Sequence, residues 1–125
     1  MTSVKEQIEA EAKDWIDRRR DQKMLLNPWA TLHAICWVGS DGAKKEGYSE
    51  NLAEFVAASK LAVGMNKIDQ MLNQRDHCSY CGTRFRVENL SLCRCGNVYC
   101  YKCIWNLGIH PNGNRACYCG GEVVG

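Results

Sequence analysis

The chain has 125 residues, of which 46% are hydrophobic and 24% charged, and its formal net charge is +2. This composition is typical of a folded protein and argues against wholesale disorder. No apolar run approaches the roughly 20 residues that a helix needs to cross a bilayer, so a membrane-spanning protein is not expected.

The first predicted helix begins after Ser3, because Ser3 and Glu6 have the spacing of a capping box. Apolar residues then follow at helical spacing, with Ile16 beside them: Val4, Ile8, Ala12 and Trp15. The triplet 18–20, three arginines, falls near the helix end, where cations are favoured by the helix dipole. We interpret it as a solvated last turn rather than a nucleic-acid patch.

The first 15 residues are charged and contain no apolar h-region, so a secretory leader is not expected. This favours a reducing, cytoplasmic setting. In that setting disulfides are disfavoured, and closely spaced cysteines more often bind a metal ion.

The second predicted element is the apolar run 28–38, PWATLHAICWV, with Asn27 as its N-cap and Gly39 at its end. A helix is expected, although a strand is compatible with so short a run. His33 and Cys36 lie three residues apart in it, and we interpret them as a core histidine and a structural cysteine rather than a catalytic pair. Residues 39–48 are polar and glycine-rich, which predicts a loop.

The third predicted helix runs from Ser49 as N-cap to about Asn73 and includes Gly64, which favours helix less than other residues do. It has two apolar stripes and therefore needs two partners, which could be the cysteine-rich region, a second copy of the chain or another protein. The predicted organisation is a helical domain at 1–75, with about three helices, followed by a cysteine-rich domain at 76–125.

Eight of the nine cysteines lie in the second domain as four close pairs: Cys78/Cys81, Cys93/Cys95, Cys100/Cys103 and Cys117/Cys119. Tetrahedral zinc takes four thiolates, so this pattern predicts two Zn²⁺ ions in closed four-cysteine sites. A closed site leaves no position for a substrate, which favours a rigid recognition surface over a metal-hydrolysis centre. His77 directly precedes Cys78, and His110 lies between Cys103 and Cys117. Because eight cysteines already supply the ligands, we interpret both histidines as lying outside the ligand sets.

The order in which the pairs combine decides the fold, and we consider a sequential and an interleaved pairing. Sequential pairing gives two separate sites along the chain, whereas interleaved pairing places Cys78, Cys81, Cys100 and Cys103 on one metal and Cys93, Cys95, Cys117 and Cys119 on the other. Cys95, Cys100 and Cys103 lie within the short stretch 95–103, which leaves little chain for two independent units, and this favours interleaving. A unit this small also needs metal to compensate for its small apolar core.

Metal binding would also change the charge of this half. Residues 77–125 carry five cations and two anions, and eight thiolates with two Zn²⁺ ions would shift their net charge from +3 to about −1. Attraction to nucleic acid or to a membrane surface is therefore not expected.

The cysteine order over residues 77–120 resembles the RING finger and related cross-brace zinc domains. The resemblance implies a small treble-clef-like α/β fold, with Cys78, Cys81, Cys93, Cys95, Cys100, Cys103, Cys117 and Cys119 as ligands one to eight. The chain departs from the usual RING pattern in two places. Four residues separate Cys95 from Cys100, and the last pair is C-x-C.

RING proteins of this kind are ubiquitin ligases, so the resemblance implies binding of a ubiquitin-conjugating enzyme. Tyr80, just before the second ligand, and Leu107, after the sixth, match the positions of the binding groove, with Ile104 and Trp105 beside Leu107 on an expected short helix. Many active RING domains carry a cation directly after the eighth ligand, whereas this chain has Gly120.

The resulting hypothesis is a ligase for ubiquitin or a ubiquitin-like protein that uses no nucleophile of its own. It would scaffold transfer to a lysine of a substrate protein recruited by the N-terminal helices, and the chain could form a homodimer. The alternative is a non-enzymatic zinc-stabilised adaptor. A weaker resemblance, in the stretch 93–103, is to FYVE lipid-binding fingers, but the cations that should precede Cys93 are replaced by the residues Leu-Ser-Leu.

Overall fold

The computed structural model describes residues 3–110 and 114–124. These residues form two compact units, the first at residues 3–65 and the second from residue 66 onwards. The boundary predicted near residue 75 stays a prediction. None of the helices within the described residues is long and apolar enough to cross a membrane.

The first unit contains four α-helices and one short 3₁₀ turn at Gln22–Met24. The α-helices are α1 (Val4–Asp17), α2 (Pro28–Val38), α3 (Asp41–Glu46) and α4 (Glu50–Val63). The short α3 lies in the segment that was predicted to be a loop, so that prediction is wrong. Ser40 caps this helix by accepting a hydrogen bond from the Ala43 N–H, and the Ala43 side chain is buried.

The predicted N-caps of the three longer helices are confirmed. The side chains of Ser3, Asn27 and Ser49 each accept a hydrogen bond from the backbone N–H three residues later, at 3.1, 2.8 and 3.1 Å. Each such bond satisfies one of the amide groups that a helix leaves unpaired in its first turn. Pro28 occupies the start of α2, where its missing N–H costs nothing.

The core of the first unit lies where α1 and α2 pack on α4. Trp15 of α1 contacts Phe55 of α4 with ring centroids 5.5 Å apart. The residues 30–34 of α2 are buried in succession, as is Trp37, so this apolar run is a helix surrounded by protein and not a strand. The buried α2 includes His33, which agrees with its interpretation as a core histidine.

The predicted third helix is not continuous, which is a second correction. It ends at Gly64, and α5 (Met65–Asn73) begins directly afterwards. Gly64 has φ +90° and ψ +141°, a conformation that residues with a Cβ rarely adopt. On either side of the break, Phe55 of α4 is buried in the first unit and Ile68 of α5 is buried in the second.

We expect Gly64→Ala to destabilise the protein by about 1–3 kcal/mol, because alanine is strained at this backbone conformation. Gly39→Ala is the matched control, since Gly39 has φ −80° and an added Cβ would meet only ordinary contacts. Urea unfolding of both variants checks this. Equal midpoints for the two variants would show that the conformation of Gly64 imposes no requirement for glycine.

The second unit combines α5 with two small antiparallel sheets. In one, β1 (Arg75–His77) pairs with β2 (Arg84–Arg86); in the other, β3 (Ser91–Leu92) pairs with β4 (Val98–Tyr99). Two 3₁₀ turns, Val87–Asn89 and Cys103–Asn106, and three isolated β-bridges add to its regular structure within the described residues. The short helix expected around Trp105 is the second of these turns.

One buried cluster of the second unit includes cysteines. Ile104 packs against a buried cluster made of Cys93, Tyr99, Leu107, Cys117 and Val123. The chain therefore has a helical N-terminal region followed by a small sheet region with two cysteine-rich clusters, which fits a small metal-stabilised domain.

Candidate metal centres

The first cysteine pair lies in the turn that joins β1 to β2. The Cys78 N–H donates to the carbonyl of Thr83 at 2.9 Å, and the Gly82 N–H donates to the carbonyl of Cys78 at 2.8 Å. Gly82 takes φ +76°, which closes the turn and leaves Cys78 and Cys81 on one side of it. This is the short knuckle that the C-x2-C spacing predicts.

The second pair lies in the corresponding turn between β3 and β4. The Cys93 N–H donates to the carbonyl of Asn97 at 3.0 Å, and the Gly96 N–H donates back to the carbonyl of Cys93 at 3.1 Å. Gly96 has φ +104°, so a glycine again permits the turn. Two hairpins of similar design thus present Cys78/Cys81 and Cys93/Cys95.

The remaining pairs are also held by turns of the backbone. The Ile104 N–H donates to the carbonyl of Cys100 at 3.0 Å, which leads from Cys100 into the 3₁₀ turn beginning at Cys103. The Cys117 N–H donates to the carbonyl of Gly121 at 2.8 Å and encloses Cys119 in the last turn. All four pairs are therefore fixed by hydrogen bonds of the main chain.

These turns bring the sulfurs together in two groups of four. Within each group, all sulfur atoms lie within 4.8 Å of one another. The first group comprises Cys78, Cys81, Cys100 and Cys103, and the second comprises Cys93, Cys95, Cys117 and Cys119. The grouping is thus the interleaved one, with both C-x2-C pairs in the first group and both C-x-C pairs in the second.

Contacts between the first hairpin and β4 explain why the groups interleave. The Ser79 N–H donates to the carbonyl of Val98 at 2.7 Å, and the Val98 N–H donates to the Ser79 hydroxyl at 3.1 Å. Two residues later the chain reaches Cys100, whose N–H donates to Cys78 Sγ at 3.3 Å. β4 follows the pair Cys93/Cys95, and its contacts with the first hairpin therefore place Cys100/Cys103 next to Cys78/Cys81.

The dimensions of both groups suit a tetrahedral cation. Four thiolates at the zinc–sulfur distance of 2.3 Å are about 3.8 Å apart from each other in a tetrahedron. Three sulfur–sulfur distances bracket that value: 4.0 Å for Cys81 and Cys100, 3.4 Å for Cys93 and Cys119, and 3.5 Å for Cys95 and Cys117. Each group is positioned to hold one metal ion.

The electrostatics of the thiols are compatible with a bound cation. Hydrogen bonds from the side chain and N–H of Thr83 lower the pKa of Cys81 to about 6. In contrast, burial raises the pKa of Cys93 and of Cys103 far above the ordinary thiol value, and neighbouring cysteines raise both further. Four adjacent thiols cannot all ionise without a positive charge among them, and a divalent ion supplies it.

Glycine allows the second group to close. A Cβ added to Gly121 would lie 3.3 Å from both Cys119 Sγ and Cys93 Sγ, tighter than most contacts of this kind. The Gly121 N–H also donates to Cys119 Sγ at 3.4 Å. A side chain at Gly121 would press on two of the four sulfurs, so this position contributes to the shape of the site.

The four residues predicted to bind a conjugating enzyme differ in exposure. Trp105 is 70% exposed and Tyr80 is 49% exposed, whereas Ile104 is partly buried. Leu107 is only 5% exposed and packs in the buried cluster beside Cys117, so its side chain offers little surface to a partner. The binding role of these residues stays a prediction.

Sequence reasoning missed two side chains that contact a cysteine of the second group. The hydroxyl of Tyr99 lies 3.1 Å from Cys117 Sγ, and the Asn97 amide donates to the same sulfur at 3.3 Å. Asn97 and Tyr99 are two residues apart in an extended segment, which places their side chains on one face. That alternation, between two cysteine pairs, was the available indication in the sequence.

The other residues singled out in the sequence lie outside the two ligand sets. Cys36 is partly buried in the first unit, and burial raises the pKa of its thiol, which is the opposite of an activated nucleophile. His77 is exposed and His110 is buried, and neither belongs to the two groups. Arg20 pairs with Glu54 at 2.7 Å and lies over the Trp15 ring.

No family model matches the chain, and comparisons with curated proteins and with solved structures give no significant match.

Proposed function

We propose that both cysteine groups bind Zn²⁺ and that the chain is a RING-type ligase for ubiquitin or a ubiquitin-like protein. The interleaved grouping of the eight cysteines is the observation that supports this proposal, because RING fingers use the same ligand order. Zinc is the favoured metal since four soft thiolates in a closed tetrahedral arrangement suit it.

The catalytic contribution of such a protein is positional. Four thiolates leave a bound zinc ion without an open coordination position, so the metal holds the fold. The surface of the second unit would hold a conjugating enzyme loaded with ubiquitin, and a lysine of the substrate would attack the thioester. The rate increase would come from orienting the reacting groups, which requires no nucleophile from this chain.

Exposure favours Trp105 and Tyr80 as the residues that contact the conjugating enzyme. Both are aromatic and exposed, and aromatic residues carry much of the binding energy at protein interfaces. The guanidinium of Arg115 lies 4.9 Å from the centre of the Trp105 ring and donates to the carbonyl of Leu107 at 3.1 Å. Arg115 thereby supports the Trp105 ring, while Leu107 acts through packing.

The helical unit would recruit the substrate in this proposal. Leu61 is 83% exposed and borders an open groove of about 620 Å³ on the first unit, which Trp15, Leu25 and Ala62 also line. Polar side chains line part of this groove as well, and an exposed leucine at its border offers another protein an apolar contact.

We expect Tyr80→Ala and Trp105→Ala each to slow ubiquitin discharge by at least about 10-fold, as loss of an interface hot spot does. Tyr101→Ala is the matched control, because Tyr101 is also an exposed aromatic, at 63%, and lies outside the proposed contacts. The measurement is the discharge of a panel of loaded conjugating enzymes onto free lysine by the full chain.

Two results would contradict the ligase proposal: no acceleration of any conjugating enzyme by the unsubstituted chain, or equal losses in all three variants. Circular dichroism of each variant confirms that it is folded. NMR titration of the chain with each conjugating enzyme tests binding separately from discharge.

The second possibility is a non-enzymatic zinc-stabilised adaptor. It is favoured by Gly120, which stands directly after the last cysteine where many active RING domains have a cation. An adaptor would bind its protein partner through the helical unit. Binding of a conjugating enzyme without faster discharge would favour this function.

A further inference from the structure

One sulfur of the second group is contacted by two side chains from the same strand region. Cys117 Sγ lies 3.1 Å from the Tyr99 hydroxyl and 3.3 Å from Asn97 Nδ2. Both distances are within the range of hydrogen bonds to sulfur. The two groups approach from β4 and the residue before it, whereas Cys117 belongs to the last turn of the unit.

The Tyr99 side chain is fixed in place by its surroundings. It is fully buried, and its ring packs in the cluster with Leu107 and Val123. The Tyr99 hydroxyl carries a proton that it can donate to the sulfur, 3.1 Å away. A buried hydroxyl has no water to donate to, which makes the sulfur its partner.

Asn97 is fixed by the hairpin turn. Its backbone carbonyl accepts the hydrogen bond from the Cys93 N–H that closes the turn, while its side-chain amide reaches Cys117. Cys93 and Cys117 belong to the same group of four. Asn97 therefore connects the two pairs of the second group through its backbone and its side chain.

We propose that Tyr99 and Asn97 are positioning residues that hold the thiolate of Cys117 and slow the loss of metal from the second group. This inference rests on metal binding by the cysteine groups and is independent of the ligase function. A hydrogen bond to a thiolate withdraws charge from the sulfur. The sulfur then reacts more slowly with protons and with alkylating reagents, and it stays oriented toward the metal.

The test is the Tyr99→Phe variant of the full chain loaded with zinc. It removes one oxygen and preserves the ring that packs the core. We expect one zinc ion to transfer to a competing chelator about 10–100-fold faster than in the unsubstituted chain, as loss of a hydrogen-bonding partner of a metal ligand does. The other zinc ion should transfer at its original rate.

Alkylation followed by mass spectrometry identifies the group that opens. In Tyr99→Phe, the second group should react earlier, beginning with Cys117, while the first group keeps its original rates. Thr83→Val is the matched control, because the Thr83 hydroxyl lies 3.4 Å from Cys81 Sγ in the first group. It should speed reaction of the first group only.

Unchanged zinc transfer in Tyr99→Phe would overturn the inference, as would equal acceleration in both groups. If Tyr99→Phe does not fold, Asn97→Ala provides the same comparison by removing the second hydrogen bond, and the same two outcomes decide. The assay contains no conjugating enzyme, so failure of the ligase proposal would leave its result unaffected.

Discussion

Removal of metal is expected to unfold the second unit and to leave the first unit folded. The second unit has a small apolar cluster, and two of its five buried members are the cysteines Cys93 and Cys117. Structural zinc sites contribute about 10–16 kcal/mol to the folding of small zinc-dependent domains, which is more than a unit of this size has in reserve.

The first unit should persist because its core contains no proposed metal ligand. Most of its buried residues come from α1, α2 and α4, and they include the large side chains of Trp37 and Phe55. Two-dimensional NMR of the full chain, recorded before and after a strong chelator under reducing conditions, makes the comparison. Resonances of residues 66–124 should collapse to narrow dispersion, while those of residues 3–65 stay dispersed.

A fully dispersed spectrum after chelation would contradict the metal-dependent fold. Loss of dispersion in both units would contradict the independence of the helical core. Adding back Zn²⁺ is the control for irreversible damage, and it should restore the original spectrum.

Truncation of the core aromatics should have the next largest effect. We expect Phe55→Ala and Trp37→Ala each to lower the free energy of unfolding of the helical unit by about 3–5 kcal/mol, through lost burial and the cavity left behind. Phe55 is fully buried against Trp15, and Trp37 is 1% exposed at the end of α2.

Leu61→Ala is the matched control for these truncations. Leu61 belongs to the same helix as Phe55 but is 83% exposed, so its replacement should change the free energy by no more than about 0.5 kcal/mol. Urea unfolding followed by helical circular dichroism measures all three variants. A loss at Leu61 equal to that at Phe55 would contradict the described packing of α4.

Local sequence features predicted much of the helical unit. Ser3, Asn27 and Ser49 were recognisable as N-caps because their side chains act within one turn of the chain. The break at Gly64 was not predicted, since glycine lowers helix stability without fixing where a helix ends. The short α3 was missed because its six polar and glycine-rich residues show only one buried side chain, Ala43.

The cysteine spacing did not by itself fix how the four pairs are grouped. The interleaved grouping was favoured by the tight stretch before Cys103, and the structure groups the sulfurs in that way. What the spacing could not reveal was the surface of the unit. The burial of Leu107 and the hydrogen bonds of Tyr99 depend on contacts between distant segments, which sequence patterns do not specify.

Interleaved metal binding is tested by the number of zinc ions that two double variants retain in the presence of a moderate chelator. Cys81→Ser with Cys103→Ser removes two ligands from the first group and none from the second. Cys81→Ser with Cys95→Ser removes one ligand from each group. We predict that native mass spectrometry will find one retained zinc ion in the former variant and none in the latter. The reverse result would show sequential pairing and would contradict the interleaved grouping of the eight cysteines.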